Sequence, residues 1–256
     1  MSQLDFHQIA ILLSVLVVPM IIAITFHEAT HGFIAWRCGD DTAYVRGRVS
    51  FNPLRHIDPF GTIILPAVMF MMFGGSFGYA KPVPVNFARL RHFRRDVILV
   101  AAGGPASNFV LAIVSALLLH LVPHEEQGLG LGDLLDRVLG TEPFTSEWIV
   151  AWISAALVYS VLINVALALF NLLPLLPLDG GRVLAALLPR PIAQVYARSE
   201  RYGMLILIGL IFLLPWVGNR LGLDVDILRW ILGPASSYVR GIIGHMAGLG
   251  DALDQP

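Results

Sequence analysis

The sequence predicts an all-α polytopic membrane protein, with a few short extended or β segments confined to residues 37–96. Three observations carry that expectation. Hydrophobic residues make up 56% of the 256 and charged ones 14%, against about 45–50% and about 25% in a typical globular chain. Several long stretches carry no charge at all. The first of them runs into a cluster of metal-ligating residue types, which hydrocarbon tolerates only where they pair or bind something. The same composition, with a mean hydropathy of +0.73, excludes a disordered chain, and the single cysteine, Cys38, excludes a disulfide scaffold. A formal net charge of −1 supplies no field that would gather nucleic acid.

A crossing helix needs about 20 mostly apolar residues. Residues 9–26, 97–119, 148–178 and 202–219 meet or approach that length without a charge, and the first is expected to continue as a helix to Trp36. Met1–Gln8 holds no Lys or Arg, so the first stretch reads as a retained helix rather than a signal peptide. Residues 60–73 are apolar but short and contain Pro66, which suits a re-entrant or interfacial piece better than a crossing. Residues 44–51 and 79–86 read as short extended pieces; Pro82 and Pro84 would confine the second to a sheet edge. Residues 230–250, interrupted by Arg240 and His245, either cross or lie along the interface. With no repeat and no linker, residues 1–256 are expected to form one membrane-embedded domain.

Basic residues set the orientation. Nine of the 17 Lys and Arg fall between Arg37 and Arg95, and four more between Arg182 and Arg201, whereas residues 122–147 hold Arg137 and six acids. Segments 37–96 and 180–201 are therefore expected on the cytoplasmic side, and 122–147 outside. The N-terminus then starts outside, provided that 60–73 does not cross.

The chemistry-bearing motif is His27-Glu28-Ala29-Thr30-His31, an H-E-x-x-H. On a continuing helix the two histidines are i and i+4 and share a face. Imidazoles so placed can bind one Zn²⁺, with Glu28 poised over a metal-bound water. From the chain's own 8 His and 6 Glu, chance supplies about 0.006 such matches. The alternative, two core histidines packed against neighbouring helices, does not account for three polar residues in this register.

A catalytic zinc takes a third protein ligand and leaves a position for water. His7, His56, His92 and His124 lie in termini or polar loops and read as solvated, His120 closes a span at its outer end, and Cys38 reads as a small buried filler. Asp179 is the better candidate. It follows Pro174 and Pro177, which cannot continue a helix undisturbed, so the backbone must unwind where 148–178 ends. Broken backbone at membrane depth survives only where it is buried in protein or lines a wet cavity. The expected topology agrees: residues 9–36 and 148–178 both run inward, bringing His27, His31 and Asp179 to one depth if 37–96 makes no net crossing.

The H-E-A-T-H at 27–31, the Gly104-Pro105-Ala106-Ser107-Asn108 stretch and the Asn171-to-Arg182 run resemble, in order, the motifs of the site-2 protease family of intramembrane zinc metalloproteases. The resemblance implies a three-helix catalytic core and cleavage of transmembrane substrates. It implies one Zn²⁺ held by His27, His31 and Asp179, Glu28 as catalytic acid/base, and Asn171 as a substrate-orienting residue. The form is a minimal one, with no room for a PDZ module in 122–147. Asn108 is a possible supporting residue, expected to cap or to hydrogen-bond across helices. Gly103-Gly104-Pro105 is expected to let the core helices approach closely, and an extended piece at 44–51 or 79–86 is expected either to be purely structural or to hold an unwound substrate by β-augmentation. The implied partners are a transmembrane protein or peptide substrate and the bilayer of a prokaryotic cell membrane, with the site toward the cytoplasm. The rival readings are a metal-ion transporter, which would spread polar residues along several spans, and a catalytically inactive scaffold, against which the intact His27, Glu28, His31 and Asp179 speak. A metallopeptidase with a downstream Glu ligand fits poorly, because every later Glu lies in a loop.

Overall fold

The computed structural model of the chain describes residues 6–56, 58–64, 68, 81–123, 129–249 and 253. Helix α1 covers Phe6–Arg37, 32 residues, or about 48 Å at 1.5 Å per residue. That exceeds the roughly 30 Å of hydrocarbon, so one helix can cross and still carry the H-E-x-x-H. A four-residue helix α2 follows at Thr42–Val45. Helix α3, Phe93–Leu118, begins where Asp96 accepts the His92 backbone N–H (2.7 Å) and the Arg95 side chain (2.9 Å). That cap is why one fully buried acid is tolerated at the start of an apolar helix.

Helix α4 (Leu131–Gly140) is followed by α5 (Ser146–Asn171), α6 (Asp179–Leu187) and α7 (Arg190–Ala197). Helices α8 (Glu200–Ile208) and α9 (Leu214–Arg220) are joined through a π-helical Gly209–Leu213, and α10 covers Ile227–Met246. Among the described residues, four helical stretches are long and apolar enough to cross a membrane: Phe6–Arg37, Phe93–Leu121, Ser146–Asn171 and Glu200–Arg220. The chain is an integral membrane protein.

Several expectations need correction. The apolar stretch 148–178 is not helical to its end: α5 stops at Asn171, and 172–178 is a run of turns, because the two prolines remove donors and clash with the preceding turn. The piece at 44–51 is not extended; it starts inside α2 and continues as turns. Of 79–86, Tyr79 and Ala80 lie outside the described residues, and 81–86 has no regular secondary structure. No strand occurs among the described residues. Of 60–73, only 60–64 and Val68 are described, with Pro59–Ile64 a π-helical turn. Helix α4 lies within the segment 122–147 that was expected outside.

By internal contacts the chain divides into two units: Met1–Ala23, Asn108–Leu167 and Ala235–Pro256 form one, and Ile24–Ser107 with Ala168–Pro234 the other. In the first, Asn108 and Asn164 are fully buried. The Asn108 amide donates to the Ala23 carbonyl (3.2 Å) and to Asn164 Oδ1 (2.8 Å), Asn164 donates to the Ser160 carbonyl (2.8 Å), and the Ser115 and Ser160 hydroxyls pair at 2.8 Å. This polar bridge ties α1, α3 and α5 inside an apolar surround.

In the second unit, Ala35, Leu90, Val97, Val100 and Ala186 form a buried core. The turn at 172–177 is clamped by glycines. A side chain at Gly180 would run into the Leu172 and Leu173 carbonyls, one at Gly181 into the backbone of Leu175 and Leu176, and one at Gly203 into the Leu176 carbonyl. Three bare backbones therefore grip the turn and fix where α6 begins, which is at Asp179.

Candidate metal centre

All the facing groups belong to the second unit. His27 and His31 lie one helical turn apart on α1, and Asp179 is the first residue of α6. The three are only 8%, 9% and 6% exposed. Asp179 Oδ2 stands 3.2 Å from His27 Nε2 and 3.2 Å from His31 Nε2, and one ligating atom from each of the three lies within 4.8 Å of the others. Tetrahedral zinc with bonds of about 2.0–2.1 Å places its ligands about 3.3 Å apart, so these separations fit such a polyhedron. Despite the short approaches, Asp179 Oδ2 has no hydrogen-bond donor among the described residues. A buried carboxylate oxygen left in this state costs several kcal/mol unless a cation compensates it.

The backbone supplies orientation. His31 Nδ1–H donates to the Val100 carbonyl at 2.7 Å. A carbonyl only accepts, so the proton must sit on Nδ1, leaving the Nε2 lone pair facing Asp179. Gly104 completes the cradle. A Cβ there would lie 2.6 Å from His27 Nε2 and closer still to His31 Nε2, so a side chain would fill the space before both Nε2 atoms. Sequence reasoning assigned Gly103-Gly104 to helix packing. That fits Gly103, whose added Cβ would strike Ile34, but Gly104 borders the Nε2 atoms of His27 and His31.

Glu28 is half-buried beside this group, and its Oε2 accepts the Val83 backbone N–H at 2.8 Å. The donor is fixed by its neighbours. Pro82 and Pro84 have no N–H and restrict φ, so Val83 carries the sole donor of that tripeptide. The segment 81–86 is itself anchored. Arg48 donates to the Lys81 carbonyl at 2.6 Å, Lys81 N–H to His56 O at 2.9 Å, and Asn86 N–H to the fully buried Asp40 at 2.6 Å. Asp40 also accepts the Thr42 N–H and hydroxyl. Sequence reading missed Asp40 and Val83; a charged residue straight after an apolar helix and a Pro-x-Pro were the available signals.

The remaining candidates fall elsewhere. Asn171 ends α5 and is half-buried. Asn108 belongs to the polar bridge of the other unit. His56 is not solvated as expected: it is 3% exposed and bonds the Ser50 carbonyl at 2.9 Å. Cys38 lies just past the end of α1, and burial together with the Asp96 carboxylate pushes its thiol above the ordinary value, which disfavours the thiolate a metal would need.

Comparison with known proteins points the same way. The model of a family described as Peptidase family M50 matches residues 15–214. "Putative zinc metalloprotease YwhC" of Bacillus subtilis (strain 168) is 35% identical over 204 residues, covering 80% of this chain and 82% of the relative. "Putative zinc metalloprotease Rip2" of Mycolicibacterium smegmatis is 27% identical over 75% of this chain and 64% of the relative. Its namesake in Mycobacterium tuberculosis (strain ATCC 25618 / H37Rv) is 25% identical over 91% of this chain and 76% of the relative. No solved structure matches the chain significantly.

Proposed function

Because the chain belongs to peptidase family M50, the site-2 protease family, we propose that it is an intramembrane zinc metalloprotease whose zinc is held by His27, His31 and Asp179. It hydrolyses peptide bonds in or near transmembrane segments of membrane-protein substrates. Residues 1–256 act as one membrane-embedded catalytic domain, in a prokaryotic cell membrane, with the site toward the cytoplasm. The observation that carries this reading is the buried Asp179 Oδ2, 3.2 Å from both Nε2 atoms and without a hydrogen-bond donor among the described residues.

The chemistry that zinc supplies when bound is Lewis acidity: water becomes a nucleophile near neutral pH and the scissile carbonyl is polarised. The chain's own residues do the rest. The Val100 carbonyl keeps the His31 proton on Nδ1 and so presents Nε2 as a ligand. Glu28 acts as general base and then general acid: Oε2 is held by Val83, and Oε1 takes the proton of the attacking water and delivers it to the leaving amine. Asn171, at the end of α5, orients the substrate backbone by hydrogen bonding. Burial of the site limits its contact with bulk water, and the substrate helix must unwind to present the bond being cut.

The test is cleavage of a model transmembrane substrate by the purified chain. Glu28→Gln is expected to retain zinc and to lose cleavage by about 10²–10⁴-fold. Undiminished cleavage by that variant, or a wild-type chain that takes up no zinc, overturns the reading.

A further inference from the structure

A second cavity in the Ile24–Ser107 and Ala168–Pro234 unit plays no part in the proposed chemistry. It has a volume of about 450 Å³, and its lining includes Phe87, Val97, Leu176, Arg182, Arg190 and Glu200. That volume lies in the range of small-molecule sites, about 300–1,000 Å³. Two lining residues fix its depth: Phe93, a further one, opens the span Phe93–Leu121, and Glu200 opens the span Glu200–Arg220. Both spans begin at this cavity, so it lies where hydrocarbon gives way to headgroups.

Its polar groups are arranged for an anion. The Arg182 guanidinium is half-buried and lies over the Phe87 ring, 5.6 Å from the centroid. It makes no ion pair among the described residues, and neither does Arg190. Arg182 and Arg190 give two positive charges and Glu200 one negative, leaving an excess of one. The lining also includes the buried apolar Val97, Leu176 and Ala186, the last one turn beyond Arg182 on α6. Helix α7, which lines the cavity with Ala193, Gln194 and Ala197, exposes Ile192 and Val195, and Leu187 just before it is exposed too. Apolar side chains exposed beside a cationic site mark an element lying in the bilayer surface.

We propose that this cavity binds one monoanionic glycerophospholipid, its phosphodiester on Arg182 and Arg190 and the start of an acyl chain against Val97, Leu176 and Ala186. One phosphodiester neutralises the excess charge, whereas a zwitterionic headgroup leaves it uncompensated. Glu200 accepts the hydroxyl groups of a polyol headgroup. Neither the three metal-facing residues nor Glu28 lines the site.

The experiment is native mass spectrometry of the full chain, delipidated and then exposed to micelles containing either phosphatidylglycerol or phosphatidylcholine. One phosphatidylglycerol should be retained, with at least a tenfold preference over phosphatidylcholine. Arg182→Gln should abolish the preference while keeping the zinc content of the wild type, and Ala186→Trp, which fills the apolar lining, should reduce retention of the lipid itself. Equal retention of the two lipids, an unchanged preference in Arg182→Gln, or stoichiometric displacement of the lipid by a transmembrane substrate peptide overturns the proposal. Should Arg182→Gln not fold, Arg190→Gln on the exposed rim gives the same readout.

Discussion

Two of the buried polar clusters among the described residues are built on opposite plans. Asn108, Asn164, Ser160 and Ser115 spend their hydrogen bonds on one another and on helix carbonyls, at 2.8–3.2 Å. His27, His31 and Asp179 bring together three atoms able to ligate a metal and leave the shared carboxylate oxygen without a donor among the described residues. The neutral cluster is closed and needs nothing further; the ionisable one is open and calls for a cation. Burial alone does not separate structure from function inside a membrane. Whether the polar inventory closes on itself does.

That contrast can be broken most sharply at the open cluster. Asp179→Ala should remove the bound zinc and reduce cleavage to background, a loss of several orders of magnitude, while helix content by circular dichroism stays near wild type; zinc retained at full stoichiometry would mean that the carboxylate is not a ligand. Gly104→Ala should come next. Its methyl group enters the space before both Nε2 atoms, and metal affinity should fall about 10–100-fold, as for other disruptions of groups that orient ligands. Gly103→Ala, whose methyl meets Ile34, should instead lower the melting temperature and leave zinc affinity alone. Reversal of those two phenotypes would return Gly104 to mere packing.

Smaller effects should follow from the groups around the site. Val83→Pro removes the donor to Glu28 and is expected to lower kcat about tenfold with zinc content and KM unchanged, while Val83→Ala, which keeps its N–H, stays near wild type. A matching loss in Val83→Ala would assign the effect to packing. Last, Asn164→Leu should cost about 1–2 kcal/mol of stability in thermal unfolding, the range for interhelical hydrogen bonds in membranes. Its zinc affinity should not change, and a variant that lost zinc as readily as stability would blur the distinction between the two clusters.

Much of this was legible before any fold was known, for physical reasons. Uncharged stretches of span length have few alternatives to membrane helices, and H-E-x-x-H on a helix puts two imidazoles on one face whatever surrounds it. Pro174 and Pro177 announced the break that delivers Asp179. Less visible were elements set by distant partners. The apolar run 148–178 looks continuous, yet its helix ends at Asn171. Residues 44–51 alternate like a strand but lie partly in the short helix Thr42–Val45, since β preference is mainly a packing preference and no neighbouring strand is offered there among the described residues. His56, read as solvated, is buried by its surroundings.

Sequence by itself determined the solvent, the helices and the spacing of the metal-ligating residue types along the chain, because hydrophobic length, helical period and proline sterics are local properties. Only the tertiary structure decided what each of those residues meets. The Val83 N–H on Glu28, the Val100 carbonyl behind His31, the bare Gly104 before both imidazoles and Arg182 over Phe87 all join residues far apart in the chain. Such contacts follow from how helices and turns pack, which no local pattern encodes.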